Sequence, residues 1–269
     1  ITHRRYRGFN ELKIEGSNVI KELPNSNVLF VSNHQTYFAD VVAMLHVFNA
    51  SLSGRIDSIK NIGYLWNPKL NIYYVAAKET MKSGILPRVL AYAGAVSVER
   101  TWREKGKEVK RDVKMTDISN IGIALNDGWV ITFPQGTTKP FYPIRRGTAH
   151  IIKKYKPIVI PIVIDGFRRS FDKRGIIIKK RGILQSMNIK KPLEINYEKD
   201  SFDSIIEKNK QRITTTDIAL KKGPPKPVTN NIGANAAIVV KTPKVAGNAT
   251  FFAPLMTFSM ECPSARIFV

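Results

Sequence analysis

Residues 27–40 read NVLFVSNHQTYFAD, and their side-chain pattern changes halfway along the segment. The first six residues are a short apolar run with β-branched members, which is typical of a buried strand. Apolar residues then recur at the spacing of one helical stripe, at Phe38, Val41, Val42 and Leu45. A strand followed directly by a helix predicts one unit of an α/β domain.

The alternation of strands and helices continues to about residue 213. Apolar runs predict strands at 71–77, 95–98, 129–133 and 158–164, and possible edge strands at 183–189 and 193–197. Helical stripes fall within 85–93, 113–125 and 201–212. This order predicts an α/β fold with a mostly parallel or mixed central sheet flanked by helices.

The composition limits the possible functions. The 269 residues include 43 Lys and Arg against 21 Asp and Glu, a formal net charge of +22. Such an excess favours a polyanionic partner, which can be nucleic acid, an anionic bilayer surface or a phosphorylated substrate. A single cysteine, Cys262, excludes a disulfide scaffold and a cysteine-rich zinc module. No window holds 18 uninterrupted apolar residues, so the sequence given encodes no transmembrane helix.

The chain changes character after residue 213. Residues 214–269 carry only 6 basic and 2 acidic side chains, and prolines interrupt every candidate apolar run. Two interpretations stay open: a flexible tail, or an ending that is not the natural one, as a shifted reading frame would produce. We therefore predict a domain over 1–213 and an atypical tail over 214–269. Because the chain opens at Ile1 and not at Met, we also expect a missing N-terminal segment.

Four short blocks lie at the ends of predicted strands, where open α/β sheets bind their ligands. The first, SNHQTYFAD (32–40), contains His34 and Asp40. Such a pair can activate a hydroxyl group, because the imidazole takes the proton while the carboxylate holds its tautomer. The second block, GAVSVERTW (94–102), ends a strand at Arg100, whose planar guanidinium suits a phosphate.

The third block, FPQGTTKPFYPIRRGT (133–148), contains a glycine that permits a tight turn, Gly136, whose amides could face an anion. The basic residues of this block are Lys139, Arg145 and Arg146. In the fourth block, PIVIPIVIDGF (157–167), Pro161 is expected to break an otherwise continuous strand. Each block alone also fits a purely structural role, such as a loop histidine, a surface salt bridge, a turn or a bulge.

Together, the order and spacing of the blocks resemble the glycerolipid acyltransferases, the family of the lysophosphatidic acid acyltransferases, over roughly residues 27–170. That family carries Asn-His, four residues and Asp; a Gly-x-x-x-(Val/Ile)-x-Arg strand end; Phe-Pro-Glu-Gly-Thr; and an apolar strand centred on proline. The resemblance implies direct transfer of a fatty acyl group from a thioester to a lysophospholipid hydroxyl, without an acyl-enzyme. It implies no metal and no cofactor.

The resemblance also implies roles for individual residues. His34 would be the general base and Asp40 would orient it, while Arg100 would bind the phosphate of the acceptor. Pro161 would line the thioester or acyl side. The remaining residues expected to bind substrate come from the third block: Gln135, Gly136, Thr137, Lys139 and Arg145.

Three positions depart from the family pattern. Five residues, QTYFA, separate His34 from Asp40 where the family has four. Gln135 replaces the family's glutamate; it keeps an acceptor oxygen but lacks the charge, which leaves the headgroup of the substrate open. Thr138 stands where many members carry a basic residue, and Lys139 is the candidate replacement.

The expected function is acyl transfer from acyl-CoA or acyl carrier protein to 1-acylglycerol-3-phosphate, which gives phosphatidic acid. The alternatives are acylation of an amino-acid-headed lyso-lipid, and a non-catalytic lipid-binding relative whose longer spacing has separated His34 from Asp40. Nucleic acid is not expected, because charge alone suggests it and no known binding motif is present. The expected location is the cytoplasmic face of a membrane, on its anionic surface or anchored through a segment before Ile1.

Overall fold

A computed structural model describes residues 2–69, 71–78, 94–98, 103–104, 107–108 and 115–221. The chain divides into two compact units, residues 1–220 and 221–269, and the second lies outside these ranges apart from Lys221. The domain boundary proposed from the sequence, after residue 213, stays a prediction.

The first unit is built on a mixed seven-stranded sheet with helices packed against it. Its strands are β1 (Glu11–Glu15), β2 (Val28–Ser32), β3 (Ile72–Ala77), β4 (Ala95–Val98), β7 (Trp129–Thr132), β8 (Ile158–Asp165) and β9 (Leu184–Ile189). Two short strands, β5 (Arg103–Glu104) and β6 (Lys107–Glu108), form a separate antiparallel pair. The helices are α1 (Ala39–Leu52), α2 (Met115–Asp127), α3 (Arg146–Tyr155), α4 (Phe167–Ser170) and α5 (Phe202–Lys221).

The strand order across the sheet is β1-β9-β8-β2-β7-β3-β4. The five strands from β8 to β4 are mutually parallel, whereas β9 runs antiparallel to β8 and β1 runs parallel to β9. The predicted α/β fold with a mixed central sheet is confirmed. Because β2, β7 and β8 are parallel neighbours, the loops that follow them meet at one edge of the sheet.

Side chains on the two faces of the sheet belong to two hydrophobic clusters. On one face Phe30 of β2 stacks against Phe48 of α1, with ring centroids 4.3 Å apart, and both contact Trp129 of β7. On the other face Leu29 and Val31 pack with residues of α2, α3 and α5. All five residues of β2 are buried, as the apolar run predicted for a strand covered on both faces.

The structure corrects several predicted elements. The strand at Leu184–Ile189 lies inside the sheet and not at its edge, because β1, which the sequence analysis did not predict, covers it. Residues 193–197 do not form a strand, although the Leu193 amide still donates to the Val159 carbonyl of β8 at 2.8 Å. Helix α3 was not predicted, and α5 continues past residue 212. The helical stripe within 85–93 lies outside the described residues.

The close approach of β7 to β3 depends on Gly128. A Cβ atom at this position would lie 2.1 Å from the carbonyl oxygen of Asn71, which accepts a hydrogen bond from the Trp129 amide. We expect Gly128→Ala to lower the free energy of unfolding by about 1–3 kcal/mol in urea titrations, because backbone must move to admit the methyl group. Gly147→Ala, where nothing lies within 4 Å, is the control and is expected to be neutral or slightly stabilising. Equal stability of the two variants would contradict this account of the β7 start.

Candidate active site

A single buried carboxylate organises the loop between β2 and α1. Asp40, in the first turn of α1, is fully buried and accepts hydrogen bonds from the Gln35 amide at 2.6 Å and from the Thr36 amide at 3.0 Å. The Thr36 hydroxyl donates to its other oxygen at 2.6 Å. These donors bend residues 34–36 back over the start of the helix.

The same carboxylate contacts the ring of His34. The distance from His34 Nδ1 to Asp40 Oδ2 is 3.0 Å, and the histidine side chain is 13% exposed. The ring stacks on Phe133, which follows β7, with centroids 4.0 Å apart and planes 21° from parallel. A carboxylate that accepts from Nδ1 keeps the proton of a neutral imidazole on that nitrogen, so the lone pair lies on Nε2. Among the described residues, Nε2 has no hydrogen-bond partner.

The five-residue spacing does not separate the pair. His34 precedes the helix, so the additional residue lengthens a loop and does not rotate a side chain around the helix axis. The turn at 35–36 absorbs it, since both amides point at the carboxylate. The predicted contact is therefore present, while the catalytic roles of the two residues stay predictions.

Two further side chains of the loop fasten it to β8. Asn33 donates to the Ile164 carbonyl at 2.9 Å and accepts from the Ile164 amide at 2.9 Å, so its side chain pairs with the strand as backbone would. Gln35 donates to the same carbonyl at 3.1 Å and accepts from the Arg168 amide at 3.1 Å. The loop that carries His34 is therefore held by β8 on one side and by Asp40 of α1 on the other.

His34 lines a cavity of about 560 Å³ at this edge of the sheet. Part of its wall is apolar and comes from α1, β3, β4, α2 and α3: Val41, Val75, Ala76, Val98, Ile118, Ile121 and Ile151. Four cations also line it: Lys139, Arg145, Arg146 and Lys173. Asp117 is the acidic residue among the described lining residues, and its carboxylate lies 3.7 Å from Lys78 Nζ. The cavity therefore combines an apolar wall with an excess of positive charge.

The third block forms the turn after β7 and leads into α3. The Gly136 amide donates to the Phe133 carbonyl at 2.9 Å, and the residue has a φ of +62°, which favours glycine. This amide is therefore used inside the turn and does not face an anion, contrary to expectation. The Thr137 hydroxyl accepts from the Lys139 amide at 3.2 Å. Gly136, Thr137, Lys139 and Arg145 all line the cavity, while their roles in substrate binding stay predictions.

Gln135 is placed differently from the expectation. Its side chain is buried, is not among the residues that line the cavity, and donates to the Tyr142 carbonyl at 2.9 Å. Its own carbonyl accepts from Arg145 Nε at 3.3 Å. Gln135 therefore links the two ends of the loop between β7 and α3. An ionised glutamate could not donate the bond to the Tyr142 carbonyl, because a carboxylate has no hydrogen to donate.

The two remaining predicted site residues are Pro161 and Arg100. Pro161 lies inside β8, which continues through it without a break, and it is not among the lining residues. The proline is tolerated because its carbonyl accepts from the Lys190 amide, just beyond β9, so its missing N–H faces the point where that ladder ends. Arg100 lies outside the described residues.

Lys173 lies beyond the four blocks and was not among the predicted site residues. Its carbonyl accepts from the Tyr37 amide at 3.1 Å, and its ammonium lies 5.8 Å from the centre of the Tyr37 ring. Gly175 lets this loop approach α1, since a Cβ there would lie 2.5 Å from the Ala39 amide nitrogen. The sequence around Lys173 shows a glycine, Gly175, after charged residues. This pattern does not predict that Lys173 lines the same cavity as His34.

The remaining histidines have structural surroundings. His46 is buried between Thr2 and Tyr64, and burial lowers its pKa to about 4, so it is neutral at physiological pH. His3 contacts the Ile59 carbonyl and His150 packs on Phe202. Of the four histidines, all described, only His34 lines the cavity and contacts a carboxylate.

Within the described residues, no group of three or more His, Cys, Asp or Glu side chains is placed to hold a metal ion. Across the same ranges, every helix is too short or too polar to cross a bilayer.

The fold and the site define the chain as an α/β protein that holds a carboxylate-bound histidine beside a cationic cavity. A family model described as Acyltransferase matches residues 11–165, more than half of the chain. The chain belongs to this acyltransferase family, and the membership predicted from the four blocks is confirmed.

Among solved structures, the chain is similar to the 1-acyl-sn-glycerophosphate (LPA) acyltransferase PlsC from Thermotoga maritima. The TM-score is 0.49 at 17% sequence identity, over 80% of this chain and 74% of that chain. No curated protein matches the chain.

We expect Asp40→Asn to destabilise the protein. The amide keeps one acceptor oxygen but turns an NH₂ group toward backbone donors, so we expect the free energy of unfolding to fall by about 1–3 kcal/mol in urea titrations. Thr36→Val removes the hydroxyl bond alone and is expected to cost about 1 kcal/mol. An Asp40→Asn variant as stable as the wild type would show that the carboxylate does not hold the loop.

Proposed function

We propose that this acyltransferase moves a fatty acyl group from a thioester to the free hydroxyl of a lysophospholipid, and that the acceptor is 1-acylglycerol-3-phosphate. The observation that carries the proposal is His34, which lines the cavity while its Nδ1 is bound to Asp40. The product would be phosphatidic acid.

In the proposed mechanism, Nε2 of His34 takes the proton from the acceptor hydroxyl while the oxygen attacks the thioester carbonyl. Asp40 keeps Nδ1 as the donor and stabilises the imidazolium that forms. The carbon–sulfur bond then breaks, and the thiolate leaves with the electron pair. No acyl-enzyme is required, because the alcohol attacks the donor directly. Such a base contributes about 10²–10⁴ in rate.

The cations of the cavity support an acceptor with a phosphate group. Lys139 and Lys173 are exposed side chains of the cavity wall, and Arg145 and Arg146 stand at the start of α3, whose first amides have no partner within the helix. A lysine or arginine bond to a phosphate is charge-assisted and stronger than a neutral one. The apolar wall suits the acyl chains of the substrates. Among the described lining residues, four cations stand against one carboxylate, Asp117, which favours an anionic headgroup over an amino-acid headgroup with its own ammonium.

The structure removes the reason for considering a non-catalytic lipid-binding protein. It required the longer spacing to part His34 from Asp40, and the two side chains are 3.0 Å apart. The donor is proposed to be acyl-CoA or acyl carrier protein, and the site of action the anionic cytoplasmic surface of a membrane, on the basis of the net charge of +22.

We expect His34→Ala to reduce acyl transfer from labelled acyl-CoA to 1-acylglycerol-3-phosphate by at least about 10²-fold, with the unfolding transition retained. His150→Ala is the matched control, because His150 is exposed on α3 and does not line the cavity. Turnover that survives in purified His34→Ala would rule out the proposed base.

We expect Lys139→Ala and Lys173→Ala each to raise the KM for 1-acylglycerol-3-phosphate about tenfold, because each removes one charge-assisted contact to phosphate. Arg174→Ala is the control for the second variant, since it removes the neighbouring exposed cation, which does not line the cavity. A lyso-lipid headed by an amino acid, run in parallel, tests the headgroup. Equal use of both acceptors by the wild type would refute the proposed preference.

A further inference from the structure

Four large apolar side chains are exposed within eleven residues of the connection between α1 and β3. Trp66 is 88% exposed, Ile56 is 50% exposed, Leu65 is 40% exposed and Ile62 is 39% exposed. They lie in residues 55–69, RIDSIKNIGYLWNPK, which we call the docking segment. Exposed apolar side chains that occur singly need no explanation, but a concentration of this kind marks a contact surface.

The exposure does not come from a loosely attached segment. Ile59 and Tyr64 of the docking segment are buried, and the Tyr64 hydroxyl is 3.0 Å from the ring of His46 in α1. The Arg55 guanidinium lies 5.0 Å from the centre of the Tyr64 ring. Asp57 accepts a hydrogen bond from the Ser17 amide at 2.8 Å. Buried side chains and hydrogen bonds therefore hold the docking segment on the domain, while its other large apolar side chains are exposed.

The charge of the docking segment indicates the kind of partner. Arg55, Lys60 and Lys69 flank the apolar side chains, and Asp57 is the one acidic residue in the segment. Tryptophan beside cations is the pattern of protein surfaces that insert into the headgroup region of a bilayer. Each Lys or Arg near an anionic bilayer strengthens its binding about fivefold.

A second copy of the chain is a poorer fit to this surface. A symmetric dimer through the docking segment would bring the exposed cations of each copy, Lys60 and Lys69, close to those of the other, and like charges repel. A bilayer with anionic lipids offers both an apolar layer and the opposite charge.

We propose that the docking segment binds the anionic surface of a bilayer, with Trp66 entering the headgroup region and Lys60 and Lys69 contacting lipid phosphates. The inference rests on the proposed function in one respect: the proposed acceptor is a lipid that resides in the bilayer.

The test measures co-sedimentation of the full chain with vesicles of phosphatidylcholine alone, and with vesicles that also contain phosphatidylglycerol. We expect Trp66→Ser to bind the anionic vesicles about tenfold more weakly. Lys60→Gln and Lys69→Gln are each expected to weaken that binding about fivefold and to leave binding to phosphatidylcholine unchanged. The matched control is Ile123→Ser on α2, where the side chain is 67% exposed far along the chain from the segment.

The proposal is overturned if Trp66→Ser weakens binding no more than Ile123→Ser does. It is also overturned if Trp66→Ser changes the oligomeric state in the absence of vesicles and leaves vesicle binding intact, because the segment would then join two copies. Turnover of a short-chain, water-soluble acceptor is expected to be unchanged in Trp66→Ser. Absence of that turnover in the wild type, with vesicle binding retained, would count against the proposed function and not against the docking surface.

Discussion

The site depends on one carboxylate that has no contact with solvent. Asp40 receives two backbone amides, one hydroxyl and one imidazole nitrogen, so its charge is neutralised by donors and not by a cation. Burying a charged carboxylate is costly unless its oxygens accept hydrogen bonds, and here the loop that carries His34 provides the donors. The same bonds that stabilise the carboxylate therefore fix the position of the histidine. The shape of the loop and the direction of the ring have a common cause.

The sheet brings together the loops that form the site. β2, β7 and β8 are parallel neighbours, so the His34 loop, the Gly136 turn and the strand end that receives Asn33 arrive at one edge. Phe133 supports the ring from the β7 side, and the cations follow on the path into α3. Chemistry and charge are thus assembled from segments that are distant in sequence but adjacent in the sheet. Among the described lining residues, His34 and the charged side chains therefore lie in loops or in the first turn of a helix.

Much of the fold could be predicted because buried parallel strands are nearly continuous apolar runs, as at 28–32 and 158–165. β1 was not predicted, because it is an edge strand of only five residues, ELKIE. Its alternation of charged and apolar side chains is too short to be recognised as a strand. The pairing of His34 with Asp40 could be proposed from residue types, but the turn that accommodates their spacing could not. The position of Lys173 depends on a backbone contact between separate loops, and Gln135 contacts a carbonyl seven residues further along its own loop. Neither contact leaves a local signal in the sequence.

The central claim is that Asp40 holds the proton of the neutral His34 ring on Nδ1 and leaves the lone pair on Nε2. Nitrogen-15 NMR of the ring, with the His34 signals assigned by comparison with His34→Gln, measures this directly at a pH where the ring is neutral. The expected spectrum shows the Nδ1–H tautomer in the wild type and a mixture, or the opposite tautomer, in Asp40→Asn. A wild-type ring protonated on Nε2 would contradict the claim, because that nitrogen could not then accept a proton from the substrate.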